Sequence, residues 1–310
     1  MRICAVRDCI RGLLLICVAA PFLPGPGTAP VARAAAIQTI DDRGTRVSLP
    51  SPARRIVALA PSITELVFAA GAGGRLVGVP LFSDFPAAAA AIPQIGDASR
   101  IDLERVLRLK PDLVIGWQSG NHAADMERLE QLGFKVFVAE PANLAAIPRL
   151  LRVFGELANT SAVAEREAAD FAAGIAALRA RYGARDSLRV FYEIWHQPLM
   201  TVNGRHMIDD VIRLCGGANV FANVPGITPL VSLESVIARR PEVVLGGSSA
   251  TTPEEFAGQW RNYANYAGLR NVRALFVDPD HIQRQTPRIL RGARTVCEHL
   301  DQVRAARNSR

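Results

Sequence analysis

Two segments of the sequence repeat one another, and this repeat limits the fold more than any other feature. Residues 103–116 and 233–246 align without a gap, and matched positions lie 130 residues apart. Each copy is typical of a short helix, a proline and a buried strand, with Asp102 and Ser232 at the helix N-caps. The repeat predicts two lobes of similar architecture, with a cleft between them that binds a ligand. Six pairs are identical: Leu103/Leu233, Glu104/Glu234, Val106/Val236, Pro111/Pro241, Val114/Val244 and Gly116/Gly246.

Short runs rich in β-branched residues alternate with segments of helical periodicity. Helical spacing marks residues 62–70, 103–109 and 122–132. Short buried strands that alternate with helices predict parallel α/β layers. The predicted strands lie at residues 55–60, 76–79, 112–115, 135–138, 189–194, 242–245 and 274–277.

One long helical segment separates the two strand-rich halves. Residues 161–182 contain no proline, and Phe171, Ile175 and Leu178 recur at helical spacing. A helix of this length spans about 30 Å and forms a stiff rod rather than a flexible linker. The fold class predicted is α/β, with two lobes of mainly parallel sheet joined by one rigid helix. The predicted regions are an export signal at 1–36, an N-terminal lobe at 37–155, a linker helix at 156–185 and a C-terminal lobe at 186–310.

The first 36 residues have the pattern of a secretory signal peptide. Three arginines precede the apolar run 12–20, and small residues at 32–36 offer a cleavage site. The apolar run is shorter than the roughly 20 residues that cross a bilayer. We therefore expect cleavage near residues 35–37 and a periplasmic mature protein.

Export leaves two of the five cysteines in the mature chain. Cys4, Cys9 and Cys17 lie in the expected signal, whereas Cys215 and Cys297 lie beyond it. A single pair of cysteines in an oxidising compartment indicates one disulfide. Two buried free thiols are the alternative.

Charge and motifs argue against several classes of protein. The formal net charge of +7 falls to +4 without residues 1–36, and the arginines form no run, so nucleic acid is not an expected partner. The sequence has no phosphate-binding loop, no nucleophile elbow and no paired histidines spaced for zinc. We therefore expect no catalysis, no resident metal and no cofactor. His196 or His281 could ligate a metal inside a bound chelate, and a hydrogen-bonding role is the alternative.

Glu104 and Glu234 occupy equivalent positions in the two copies of the repeat. A carboxylate in the first turn stabilises a helix through the helix dipole, and this alone accounts for both residues. The alternative is a pair of acidic contacts, one on each lobe, for a two-fold symmetric membrane partner. Both interpretations need an exposed side chain.

Aromatic and polar residues follow several predicted strands, where ligand sites form in α/β proteins. A large, flat ligand with a polar rim needs aromatic faces and a few hydrogen-bonding groups. Each of these residues alone could serve packing, but together they predict a ligand site. The candidates are Phe82, Trp117, Trp195, His196, Asp280, His281 and Arg284.

Several segments between residues 54 and 300 carry a family resemblance. The chain resembles the periplasmic cobalamin-binding proteins of vitamin B12 ABC importers, within the wider group of class III binding proteins that have a rigid helical backbone. The 82–86 segment, the tryptophan after a strand and the Cys-Gly-Gly motif resemble the cobalamin branch most closely. The segments are 60–66, 82–86, 102–105, 110–117, 214–217, 231–234 and 286–289.

The resemblance implies roles for individual residues. Cobalamin or a related corrinoid is the expected cargo, the partners are an importer's permease and its ATPase, and the free protein is expected to be a monomer. Glu104 and Glu234 match acids that pair with permease arginines, and Cys215 and Cys297 match a disulfide. The residues implied in ligand binding are Ser62, Phe82, Trp117, Trp195, His196, Asp280 and Arg284.

The sequence also departs from that family. Ala98 stands where better-known members carry a tryptophan, and residues 226–229 lack an expected aromatic residue. Fewer aromatic walls reshape a cleft, so heme or a ferric siderophore is the alternative ligand. An exported enzyme or an adaptor on the same scaffold is the other class of function.

Overall fold

The computed structural model describes residues 36–309, and the expected signal peptide with Cys4, Cys9 and Cys17 lies outside them. The described chain begins with an antiparallel hairpin of β1 (Ile37–Ile40) and β2 (Arg46–Leu49). Backbone hydrogen bonds attach this hairpin to the N-terminal sheet, since the Asp42 amide donates to the Val138 carbonyl at 3.0 Å. Within the described residues, no helix combines the length and apolarity needed to cross a membrane.

The first sheet has four parallel strands in the order β4-β3-β5-β6. These strands are almost entirely buried, as the apolar runs predict for a sheet covered on both faces. They are β3 (Ile56–Ala58), β4 (Leu76–Gly78), β5 (Leu113–Trp117) and β6 (Val136–Ala139). The helices are α1 (Pro61–Ala69), α2 (Leu103–Leu109), α3 (Ala123–Gln131) and α4 (Ala146–Leu157), with short 3-10 turns at Gly73–Arg75 and Ala87–Ala91. We call β3–β6 and α1–α4 the N-terminal lobe.

The second sheet repeats this topology, with parallel strands in the order β10-β9-β7-β8. In both sheets the first strand lies between the second and the third, and the fourth strand lies beside the third. The strands are β7 (Leu188–Glu193), β8 (Gly217–Asn219), β9 (Val243–Gly246) and β10 (Arg273–Phe276). The helices are α6 (Met207–Leu214), α7 (Leu233–Arg239), α8 (Pro253–Arg261), α9 (Pro279–Ile282) and α10 (Ile289–Asn308). We call β7–β10 and α6–α10 the C-terminal lobe.

The helix predicted between the halves is confirmed as α5 (Ser161–Tyr182), which has 22 residues. It packs along α4 on one side and against α6 and α10 on the other, so it contacts both lobes. Gly155 permits the close approach of α4, because a Cβ atom there would lie 2.4 Å from the Cβ of Ala164. Residues 36–309 belong to one compact unit without a division between the lobes, so the predicted lobe boundaries at 155/156 and 185/186 stay a prediction.

The repeat extends to the backbone geometry. The side chains of Asp102 and Ser232 accept from the third amide of α2 and α7, as N-caps do. Lys110 and Arg240 then end these helices in the left-handed conformation, with φ of 46° and 47°. The prediction of two helix–proline–strand units is therefore confirmed in both lobes.

The expected disulfide is confirmed. Cys215, directly after α6, is bonded to Cys297 in α10, and both residues are fully buried. The alternative of two free thiols is therefore wrong.

Candidate ligand-binding cleft

The carboxyl ends of both sheets face one cleft. Asp84 follows β4 in the N-terminal lobe, and Arg284 follows β10 and α9 in the C-terminal lobe. Their side chains form an ion pair, with Arg284 Nη1 at 2.6 Å from Asp84 Oδ1. Loops at the carboxyl ends of parallel strands are where α/β proteins bind ligands. This contact therefore places the loops of the two lobes opposite one another.

A cluster of five charged residues lies in this cleft. Arg284 Nη1 donates to Glu65 Oε1 at 2.9 Å, and its Nε lies 3.2 Å from Asp280 Oδ1. Arg288 donates from Nε and Nη2 to the two oxygens of Glu65, at 3.0 and 2.9 Å. Three carboxylates thus surround two guanidinium groups. We call Glu65, Asp84, Asp280, Arg284 and Arg288 the cross-lobe cluster.

Hydrogen bonds shift the pKa values of two groups in this cluster, Asp84 and Arg284. The hydrogen bond from Arg284 holds the pKa of Asp84 below its ordinary value. Burial lowers the pKa of Arg284, but its bonds to Asp84 and Glu65 more than offset this and leave the pKa raised. Glu65 is only 3% exposed, and a carboxylate so deeply buried is tolerated when paired and hydrogen-bonded.

Two aromatic residues of the N-terminal lobe, Phe82 and Phe85, border the cross-lobe cluster. Phe82 is 73% exposed and has a φ of +65°, a conformation that non-glycine residues adopt rarely. Phe85 lies in the same loop, and the guanidinium of Arg288 stacks 4.2 Å from its ring centroid. A strained backbone that presents an aromatic ring to solvent is a feature of functional loops. Phe82 therefore fits the predicted role of a stacking surface.

Trp117 is the last residue of β5, so the strand continues two residues beyond its predicted end at residue 115 and includes the tryptophan. Its amide donates to Asn121 Oδ1 at 2.7 Å, and Asn121 Nδ2 donates to the carbonyls of Leu59 and Ala98 at 2.9 Å each. The ring lies on Gly120, where a Cβ atom would come within 1.9 Å of it. Asn121 and Gly120 therefore hold the tryptophan in place.

The C-terminal lobe contributes a second aromatic group after β7. Trp195 is 55% exposed, and its indole N–H donates to the Gln197 carbonyl at 2.9 Å. Next to it, His196 Nδ1 lies 3.2 Å from Glu193 Oε1. Glu193 Oε2 accepts from the buried indole of Trp260 at 2.8 Å, which fixes the carboxylate. Glu193 therefore places a fixed carboxylate next to His196, although Nδ1 of His196 makes no hydrogen bond within residues 36–309.

Glu193 and His196 share the floor of a cavity of about 230 Å³. Burial raises the pKa of Glu193, and its contacts with His196 and Trp260 oppose this. Thr251 and Gln259 complete the polar part of the wall. The cavity can accept a small polar group at the edge of a larger ligand.

Ser62 and His281 are the remaining predicted site residues. Ser62 is buried in α1, and its hydroxyl has no hydrogen-bond partner among residues 36–309. His281 pairs with Asp278 at 3.4 Å. Within the same residues, no three side chains of the metal-ligating types converge on one point. The ligand-binding roles that the resemblance implied stay predictions for all seven residues, which are Ser62, Phe82, Trp117, Trp195, His196, Asp280 and Arg284.

Glu104 and Glu234 are exposed on the first turns of α2 and α7. Glu104 lies 3.6 Å from Arg108, and hydrogen bonds from its own amide and from Ser232 lower the pKa of Glu234. An exposed carboxylate suits both the dipole and the docking interpretations. Docking therefore stays a prediction.

Sequence reasoning missed the partners that hold these residues. Glu65, Asp84 and Arg288 lie inside the quoted segments 60–66, 82–86 and 286–289, yet none was assigned a role. An acid in the buried helix α1 was the available signal, because a buried carboxylate needs a cationic partner. Glu193, which ends β7, carries the same signal.

Comparison with known proteins places the chain in a family. The family model described as periplasmic binding protein matches residues 56–279. The chain belongs to the periplasmic binding proteins. A vitamin B12-binding protein from Vibrio parahaemolyticus is 35% identical over 83% of this chain and 92% of its own length. Another from Yersinia pestis is 31% identical over 89% of this chain and 96% of its own length.

Solved structures of the family share this fold. The periplasmic vitamin B12-binding protein of Vibrio cholerae superposes with a TM-score of 0.74 at 32% identity, covering 82% of this chain and 98% of that chain. A periplasmic heme-binding protein from Roseiflexus superposes with a TM-score of 0.66 at 25% identity, covering 79% and 98%. The predicted fold class, two parallel α/β lobes joined by one helix, is therefore confirmed.

Proposed function

We propose that this periplasmic binding protein captures cobalamin or a related corrinoid and delivers it to an ABC importer. One observation carries the proposal. Exposed aromatic rings border the cross-lobe cluster in the cleft, and the chain matches vitamin B12-binding proteins over most of their length. Aromatic faces suit a flat macrocycle. The guanidinium and carboxylate groups suit hydrogen bonds to an amide rim.

The ligand is bound as cargo, and no bond is made or broken. Phe82 and Trp117 offer stacking surfaces on one lobe, and Trp195 offers one on the other. Asp280 and Arg284 supply an acceptor and donors at the rim. The relatives carry the names of binding proteins, which supports binding over catalysis. Turnover of a bound compound would instead indicate an exported enzyme.

Delivery requires export and a membrane partner. Residues 1–36 supply a cleavable signal peptide, and the mature protein acts in the periplasm as a monomer when free. Glu104 and Glu234 contact basic residues of the permease, one from each lobe, and the permease works with an ATPase. The matched positions of the two helices support this two-point contact.

Heme is the second candidate ligand. A heme-binding protein shares the scaffold at 25% identity, and residue 98, where the family resemblance implied a tryptophan, is the small Ala98. A cleft that lacks this aromatic side chain has a different shape and can bind a different macrocycle. The affinities for the two ligands decide between them.

A fluorescence titration with cyanocobalamin tests the proposal. Two of the three tryptophans, Trp117 and Trp195, flank the cleft, so we expect saturable quenching at micromolar ligand after correction for absorption. Arg284→Gln should weaken binding about tenfold or more, the equivalent of roughly 1.4 kcal/mol. The matched control is Arg152→Gln, which changes an arginine paired with Glu165 between α4 and α5. Unsaturable quenching, or equal affinity in both variants, would contradict the proposal.

A further inference from the structure

Glu65 joins two distant parts of the chain. It lies on α1 of the N-terminal lobe, and both of its cationic partners, Arg284 and Arg288, come from the C-terminal lobe. The partners are 219 and 223 positions away in the sequence. The described contacts of the Glu65 carboxylate therefore tie the lobes together at the cleft.

The geometry of this contact is restrictive. Arg288 binds both oxygens of Glu65, and Arg284 shares one of them. A bidentate bond between a guanidinium and a carboxylate fixes orientation as well as distance. Because Glu65 is buried, removing either arginine would leave its carboxylate charge less compensated, which is costly.

Asp84 differs from Glu65 in its exposure. The Asp84 side chain is 60% exposed, although it binds the same Nη1 atom of Arg284. Polar ligand atoms that enter the cleft can therefore replace Asp84 on Arg284 and leave the buried bond to Glu65 in place. Asp84 is therefore an exchangeable partner of Arg284, whereas Glu65 is a permanent one.

We propose that Glu65 is a positioning residue that sets the spacing of the lobes and the orientation of Arg284 before ligand arrives. The carboxylate itself need not touch the ligand. Its effect on affinity rests on the proposed function, whereas its effect on lobe spacing does not. The two effects are measured separately.

Lobe spacing can be measured by double electron–electron resonance. Spin labels at Glu127→Cys in α3 and Glu254→Cys in α8 occupy exposed positions, one in each lobe. In the protein without added ligand, we expect a narrow distance distribution that Glu65→Gln broadens, because the amide cannot hold two guanidinium groups. Asp84→Asn should keep the distribution narrow. Glu165→Gln, which removes an exposed ion pair between α4 and α5, is the matched control.

Affinity for cyanocobalamin supplies the second measurement. Glu65→Gln is expected to weaken binding about tenfold, and adding Arg284→Gln should weaken it little further, because both changes remove the same oriented donor. A residue that acts only on stability would lower the melting temperature and leave the affinity of the folded protein unchanged. Additive losses from the two substitutions would therefore overturn the proposal.

The outcomes separate this inference from the proposed function. An unchanged distance distribution in Glu65→Gln overturns the inference whether or not a corrinoid binds. Absence of cyanocobalamin binding by the unsubstituted protein overturns the proposed function and leaves the distance result valid. If Glu65→Gln does not fold, Arg288→Lys serves in its place, because lysine keeps the charge and loses the bidentate bond. A narrow distribution in Arg288→Lys would count against the inference.

Discussion

Replacing Cys215 and Cys297 together by serine is expected to lower the free energy of unfolding by about 4 kcal/mol. The disulfide closes a loop of 82 residues, and a crosslink over a loop of this length removes much conformational entropy from the unfolded chain. Because the bond joins the end of α6 to α10, it restrains most of the C-terminal lobe.

The folded lobe retains other contacts at the same place. Arg304 of α10 donates to the carbonyls of Asp186, Cys215 and Gly216 at 2.7 to 3.1 Å. The variant should therefore fold to the same structure with lower stability. Urea unfolding, monitored by circular dichroism, measures the loss, and reduction of the unsubstituted protein should give a similar value. A loss below about 1 kcal/mol would contradict the entropic account.

A second large effect is expected at the permease. Glu104→Ala combined with Glu234→Ala should lower stimulation of the importer's ATPase at least tenfold and leave cyanocobalamin affinity unchanged. Close charge pairs at an interface contribute roughly 1.5 kcal/mol or more each, which corresponds to about tenfold in binding. The two carboxylates are exposed on helices α2 and α7, and neither belongs to the cross-lobe cluster.

The matched control for this variant removes two other acids. Glu127→Ala with Glu254→Ala also takes one exposed carboxylate from each lobe, so the net charge changes equally. ATPase activity in proteoliposomes, measured against the concentration of binding protein, distinguishes the variants. Equal loss in both would indicate a general effect of charge. Weakened cyanocobalamin binding in the first variant would place Glu104 or Glu234 in the cleft instead.

The repeated units were predictable because their signals are local. Helical spacing, an N-cap and a proline lie within 15 residues of one another in each copy, and both copies form as predicted. Strand β8 was missed because Gly217, Ala218 and Asn219 have little strand propensity. Backbone pairing with β7 at the edge of the sheet stabilises the strand despite this low propensity. The N-terminal hairpin was missed as well, because β1 and β2 have only four residues each and give a short pattern.

The cleft was predictable only in part. Phe82, Trp117 and Trp195 could be found because each lies at the end of a recognisable strand or shortly after it. The cross-lobe cluster could not be derived from spacing, because Glu65 and Arg288 meet only when two lobes pack. Periodicity reports which face of an element is buried and says nothing of which distant residue covers it.

Calorimetric titration of the protein with cyanocobalamin, and separately with heme, tests the central claim most directly. We expect one cyanocobalamin site per chain with a Kd in the micromolar range or below, and heme binding at least about tenfold weaker, a difference of roughly 1.4 kcal/mol. One saturable heme site with no heat from cyanocobalamin would contradict it and assign the cleft to heme.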